Sequence, residues 1–354
     1  MREYSAAGLA FQLLRAVRRR LSHPDLPLDV LDLAALGTIA DVVPLVDDNR
    51  IIARHGLTRM ETTGNLGLSA LIRAVGLTGP VSAHHVGFSL GPRINAAGRL
   101  GDAAVAVRLL TTEDPTEAET IAQQLDTENR KRRELCDQVL AEAVEQVERD
   151  HLHDGPTIVL AREGWHAGVI GIVASQLVER YYRPVILIAL DQGMGRGSAR
   201  SIEALHLVET LTECRDLLER FGGHAMAAGL TIAQDGVSEF TRRFADAAAR
   251  RLAPEDLVPS LVIDAEVHLD DLTEDVARQL QRLEPFGAGN PEPVLAARGL
   301  RAATTRVMSD GLHLKLGVTD GQGFAEAVGF RLGDASELLA FTRAQLDLAF
   351  TVEI

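Results

Sequence analysis

The sequence predicts an α/β protein of several domains, and three observations predict it. TIVLA (157–161), a helical stretch at 169–180 and PVILIAL (184–190) form a strand–helix–strand unit, the pattern of two parallel strands joined by a crossover helix. From Asp114 to about Asp150 the pattern is one long helix, with no Gly or Pro between Pro115 and Gly155. Short alternating strands near 295–308, 312–318, 324–330 and 346–353 predict the start of a small β-barrel.

Composition bounds the reading. At 354 residues the chain has room for two or three domains with sizeable cores. Its 46% hydrophobic and 24% charged content is that of a globular protein. No apolar run reaches the ~18 to 20 residues of a membrane span. Arg15 and Arg18 to Arg20 break the only apolar stretch near the start, so no signal peptide is expected. Cys136 and Cys214 form neither a disulfide framework nor a CxxC pair, which points to a reducing cytoplasm. The net charge of −14 argues against binding nucleic acid through a general basic field. Any such contact falls to local arginines, and all but two of the 36 basic residues (Lys131, Lys315) are arginines, whose fork suits phosphate.

The elements follow in order. Ala6 to Arg20 has helical spacing and a basic outer face, with no capped start before it, so the chain is expected to begin inside a domain. LDLAALGTIADVVPL (31–45) is rich in small residues, and short helices are expected at 49–61 and 67–76. Asp114 is the expected N-cap of the long helix, with Pro115 at its first position and Glu117 in its first turn. Ile121, Leu125, Val139, Ala143 and Val147 give it a narrow apolar stripe, read as a strut between domains. After the strand–helix–strand unit come a Gly-rich segment (193–200), a helix (206–219), FGGHAMAAG (221–229), a strand (229–233) and a helix (238–250). The turn-rich PFGAGNPEP (285–293) reads as linker, and the final apolar strand LDLAFTVEI has no closing element, so the C-terminal end is also expected to be cut.

Five segments carry candidate chemistry. Asp41 in GTIAD (37–41) is either a cap or surface acid or one ligand of a hard cation. Arg93 and Arg99, flanking Asn95 and Gly98 in GPRINAAGR (91–99), suit phosphate clamping and structural ion pairs equally. His166 and Gly168 in WHAGVIGIVAS (165–175) sit where a helix N-terminus favours anions, or pack as a Trp–His pair. GMGRGSARS (193–201) adds Ser198 and Arg200 on glycines that either admit a ligand or form a plain hairpin. Gly222, Gly223 and His224 in FGGHAMAAG suggest a backbone nest beside a donor. No GxSxG elbow and no Walker loop is present. His84 and His85 read as ordinary helix residues.

Taken together, LDLAALGTIADVVPL, GFSLGPRINAAGRLGD, WHAGVIGIVAS, RPVILIAL, GSARSIEALH, FGGHAMAAGL and LEPFGAGNPEPVL resemble, in order, the RecJ family of the DHH phosphoesterase superfamily. The resemblance implies the C-terminal part of a DHH domain (1–113), a connecting helix (114–155), a DHHA1 domain (156–253), a linker (254–293) and a partial OB-fold (294–354). It implies a 5′-to-3′ exonuclease on single-stranded DNA, dependent on Mn²⁺ or Mg²⁺, acting in recombination and repair. A single-strand-binding protein or a helicase is the implied protein partner. Asp41 matches a family metal ligand, and Arg93, Asn95 and Arg99 match a substrate-side segment. Ser198 and Arg200 match residues that hold the 5′ phosphate, and Gly222, Gly223 and His224 match the DHHA1 signature.

The departure is as informative. The family's D-x-D segment, a further metal-binding aspartate and the DHH triplet have no counterpart in this sequence, so it is expected to keep DNA-binding elements and to lack activity alone. Two other functions compete: a DHH/DHHA1 phosphodiesterase on short oligonucleotides or cyclic dinucleotides, and a non-catalytic single-strand-binding scaffold. The long helix and the strand-rich tail favour the RecJ reading.

Overall fold

In the computed structural model, residues 3–22, 25–309, 311–341 and 345–353 are described. The first half is helical: α1 (Ala6–Arg20), α2 (Leu31–Ala40), α3 (Asp47–Met60), α4 (Leu66–Ala74), α5 (Ala83–His85), α6 (Gly91–Leu100), α7 (Ala104–Thr111) and α8 (Pro115–Arg149). A mixed region follows with β1 (Ile158–Glu163), α9 (Ile170–Tyr181), β2 (Val185–Asp191), β3 (Met194–Arg200), α10 (Leu207–Thr212), β4 (Leu218–Gly223), β5 (Ala227–Ala233) and α11 (Val237–Ala249). The last part holds β6 (Ala265–Glu266), α12 (Glu274–Gln281), β7 (Leu295–Met308), β8 (His313–Thr319), β9 (Phe324–Gly329), α13 (Ala335–Phe341) and β10 (Leu346–Phe350). Among the described residues no helix is long and apolar enough to cross a membrane.

The chain divides into two compact units, one of residues 1–62, 79–87 and 261–354, the other of 63–78 and 88–260. In the first, the small residues of α2 exist for close helix packing. A Cβ on Gly37 would lie 2.4 Å from the Ala7 Cβ, and one on Gly56 would lie 2.2 Å from the Ala35 Cβ. Contrary to expectation, α1 has a cap: the Ser5 hydroxyl accepts the Gly8 N–H at 3.0 Å and lies 3.2 Å from the Thr38 Oγ1. Leu9, Leu13 and Val17, four residues apart, lie exposed on the same helix, and Leu21 is exposed at its C-cap.

The C-terminal strands form a sheet in the order β10-β7-β8-β9, with β6 on β7, over a core of Leu269, Ala297, Leu300, Leu314, Leu316 and Val318. The barrel strands match the expected positions closely. The expected linker, however, is structured. It carries β6 and α12, and its PFGAGN turn is docked: the Leu45 N–H donates to the Ala288 carbonyl at 2.6 Å. Arg50 donates to the carbonyls of Arg282, Leu283 and Glu284. Its glycines are there because Leu45 and Pro44 occupy the space; a Cβ on Gly287 would lie 2.8 Å from a Leu45 methyl.

In the second unit, α8 runs unbroken from the Asp114 cap, whose carboxylate accepts the Thr116 N–H at 2.8 Å. It is a spine and not a strut. Ala118, Ile121, Ala122 and Leu125 are buried along its first half, where α4, α6 and α7 pack; Cys136, Val139, Ala143 and Val147 are buried along its second, facing α9. The stripe suffices because the positions between the bulky residues are alanines, which let neighbouring helices approach. The sheet runs β1-β2-β3-β5-β4, with β1 parallel to β2 and the other pairs antiparallel. The expected helix at 206–219 ends at Thr212, because 218–223 pairs with β5 as an edge strand. Strand pairing overrides the local helical pattern there.

Candidate anion-binding site

Strand register assembles the site. Directly opposed residues of paired strands share a face, so Leu187, Ser198, Gly229 and Gly222 form one row across β2, β3, β5 and β4. Leu187 lies in the core that α8 and α9 cover. Ser198 and, two residues on, Arg200 therefore point to that same side, at the edge of α9. The opposite face is packed by Ile186, Ile188, Ala199, Leu230 and Ile232 against Phe240 and Phe244.

The glycines divide into two kinds. Gly195 and Gly197 face the packed side, where a Cβ would lie 2.6 Å from an Ile188 methyl or from a Leu230 methyl. They make room for core side chains, which favours the plain-hairpin reading of this segment over the ligand-admitting one. Gly222 and Gly229 are exposed, and a Cβ on Gly222 would meet nothing within 4 Å. They floor an open patch of sheet beside Ser198.

The α9 N-terminus borders that patch. Trp165 is buried and donates its indole N–H to Glu142 of α8 at 2.8 Å, fixing the segment that leads into the helix. His166 is exposed, and its Nδ1 accepts the Gly168 N–H at 3.0 Å, which leaves Nε2 to carry the proton and face outward. A Cβ on Gly171, in the first turn, would lie 2.8 Å from the Ser198 Oγ and 3.1 Å from an Arg200 nitrogen. Only glycine lets the positive end of the helix approach these two side chains so closely.

Arg200 borders the patch, Arg99 lies near it at the α9 N-terminus, and Arg132 of α8 lies near Arg99. Arg200 is half-buried and donates to the Ala199 carbonyl at 2.8 Å and toward the Ser198 Oγ at 3.3 Å. Burial, and next the charge of Arg99, push its guanidinium below the usual arginine range. Arg99 reaches the Gly168 carbonyl at 3.3 Å. Burial lowers Arg132 of α8 as well, with Arg133 and Arg99 adding to it while Cys136 opposes. An arginine stays charged regardless. None of the three has a carboxylate partner among the described residues, in a chain whose other arginines are widely paired with acids. Cations gathered near a helix N-terminus make this a candidate site for an anion.

The other candidates are placed differently. Arg93 is spent on an ion pair with Asp126 of α8 at 2.8 Å, and it also donates to the Ser89 carbonyl. Asn95 is exposed on α6. The expected nest at 221–229 is a β-hairpin. Gly223, at φ 149°, closes it where a Cβ would lie 2.3 Å from the Ala227 carbonyl oxygen. His224 is exposed in its turn, and Ala227, beyond that turn, pairs with Arg200. Asp41 lies in the other unit, exposed, as the C-cap of α2, in keeping with the cap-or-surface-acid alternative. His84 and His85 are helical, as expected; His85 and Ser82 form a capping box. Sequence reasoning missed Gly171 and Arg132. The NRKRR run at 129–133 was the available signal for the second.

The fold is that of an α/β protein whose mixed sheet carries a candidate anion-binding site and whose last strands form an OB-type sheet. Residues 154–252 match the DHHA1 domain and residues 263–354 match the RecJ OB domain. The chain belongs to the RecJ family. It is 41% identical over 340 residues to the single-stranded-DNA-specific exonuclease RecJ of Bacillus subtilis, covering 95% of this chain and 42% of that protein. It is 40% identical to that of Thermus thermophilus, covering 88% and 44%. The crystal structure of Thermus RecJ in complex with Mg²⁺ superposes with a TM-score of 0.87 at 37% identity, over 99% of this chain and 53% of that one. The chain spans about half the length of the curated relatives it matches.

Proposed function

We propose that this chain grips the 5′-phosphorylated end of a single DNA strand, in the service of the single-stranded-DNA exonuclease activity for which its relatives are named. The observation that carries the reading is Arg200 beside Ser198 and the α9 N-terminus, with Arg99 close by and Arg132 near Arg99, none of the three in an ion pair with a carboxylate among the described residues. A terminal phosphate offers more oxygens and more charge than an internal diester, and an arginine fork with a hydroxyl suits it. Gly222 and Gly229 leave the sheet open for the first nucleotide, with His166 and His224 as flanking donors. Arg99 and Asn95 lie on α6 where the strand would pass; Arg93 acts indirectly, by holding α6 to α8 through Asp126.

Asp41 is the proposed contributor to a Mn²⁺ or Mg²⁺ site, and Thermus RecJ has been crystallised with each of these ions. A carboxylate at a helix C-terminus, the negative end of the dipole, is well placed for a cation. The donor set does not close, however: among the described residues no group of three metal-ligating side chains includes Asp41. Two-metal phosphodiester hydrolysis needs several such ligands, and Asp41 supplies one.

The test is a fluorescence titration of paired oligonucleotides, 5′-phosphorylated and 5′-hydroxyl, against wild type and Arg200→Ala. Wild type prefers the phosphorylated end, and the substitution removes a charge-assisted contact of ~1.5 to 3 kcal/mol, about ten- to a hundred-fold in affinity. Equal affinity of wild type for the two ends would overturn the reading.

A further inference from the structure

The far end of α8 carries a second group of chemistry-bearing side chains, away from the arginines. In ERDHLHDG (148–155), His151, His153 and Asp154 each present one ligand atom, and these atoms lie within 4.8 Å of one another. The backbone builds the group. The helix stops at Arg149, His151 takes a left-handed conformation at φ 52°, and a short 3₁₀ turn over Leu152–Asp154 folds His153 back.

His153 is oriented by its surroundings. Its ring stacks on Tyr181 with 5.8 Å between centroids. Its Nε2 faces the Asp154 carboxylate at 3.6 Å, and its Nδ1 faces Glu148 at 3.9 Å. Nδ1 is shut away from solvent and has no hydrogen-bond partner. Glu148 is held in place by the Tyr181 hydroxyl, which donates to it at 2.7 Å and is the first cause of its carboxyl lying below the usual range. Neither His153 nitrogen is spent on a good hydrogen bond, and both face oxygens slightly too distant for one.

We propose that His151, His153 and Asp154 bind one divalent transition-metal ion of the zinc type, with water in the fourth position. His153 ligates through Nε2 while its Nδ1–H donates to Glu148, the carboxylate–histidine–metal arrangement that fixes ring and tautomer. Two imidazoles and one carboxylate suit Zn²⁺ and disfavour the hard Mg²⁺. Zn–N and Zn–O bonds near 2.1 Å imply ligand-to-ligand distances of ~3.4 Å in a tetrahedron. Rotation of the exposed His151 and Asp154 side chains closes the gap. The ion ties the end of α8 to the turn that leads into β1, so binding also raises the melting temperature progressively as the free Zn²⁺ concentration rises above the dissociation constant.

The experiment is calorimetric titration of the full chain with Zn²⁺ alone, followed by thermal melts. One ion binds per chain. Glu148→Gln weakens it about ten- to a hundred-fold, as loss of a supporting carboxylate does. His151→Ala and the near-isosteric Asp154→Asn weaken it at least as much, while Asp41→Ala leaves it unchanged and excess Mg²⁺ does not displace it. Absence of saturable binding, affinity indifferent to both His151→Ala and Asp154→Asn, or loss on Asp41→Ala alone would each overturn the proposal.

Discussion

A methyl group on Gly171 would lie 2.8 Å from the Ser198 Oγ and 3.1 Å from an Arg200 nitrogen. Both are the movable ends of side chains, so Gly171→Ala displaces them without disturbing the sheet. Alanine in a helix is favoured over glycine by ~1 kcal/mol. The substitution is therefore expected to hold or raise the melting temperature while lowering the preference for a 5′ phosphate. A parallel loss of stability and binding would show that Gly171 serves packing alone. At this scale the residue types were legible: Ser198, Arg200 and His166 stood out as donors near glycines. Their roles were not. Arg93 and Arg99, six residues apart on one segment, divide into a structural ion pair with Asp126 and a cation near Arg200. Only the partner each side chain meets separates them.

Among the elements, α8 shows how far a pattern reaches. Cap, start and length were legible because Asp114, Pro115 and the absence of breakers are local signals. Its burial was not, because a stripe of alanines, one cysteine and a few large residues looks thin until helices pack along it. Leu125 is fully buried in that packing. Leu125→Ala is expected to cost ~2 to 5 kcal/mol, measurable by urea denaturation; a cost near zero would restore the strut. The β8–β9 turn gives a pH test. The Asp320 carboxylate accepts the N–H groups of Gly323, Gln322 and Leu269 and is lowered to about 2 by those backbone bonds. A lowered carboxyl contributes stability above its ordinary value of 3.8, and that contribution is lost as pH falls toward about 2. Asp320→Asn is expected to flatten the acid limb of the melting profile over that window. An unchanged limb would mean the turn holds without the charge.

For the whole molecule, charge and donor count set the expectation. With a net charge of −14, no general field holds DNA, and binding rests on a few arginines. With Asp41 as the single family metal ligand matched, purified chain is expected not to degrade single-stranded DNA when Mn²⁺ or Mg²⁺ is added. The check is a time course on a labelled strand beside Asp41→Ala. Metal-dependent cleavage by wild type that Asp41→Ala abolishes would overturn this expectation and assign Asp41 to a working metal site.

By itself the sequence determined the family, the order of elements, the long helix, the strand–helix–strand unit and the barrel strands. These depend on periodicity, caps and turn residues that act within a few positions along the chain. Tertiary structure alone decided three things. It made the glycines of β3 core residues and left Gly222 and Gly229 as an open floor. It turned residues 218–223 into an edge strand and the PFGAGN turn into a docked loop. It also brought Arg99, Gly171 and Arg200 together from three separate elements, with Arg132 of α8 near Arg99. Each depends on which residues meet across a sheet or between helices, and sequence spacing carries no record of those meetings.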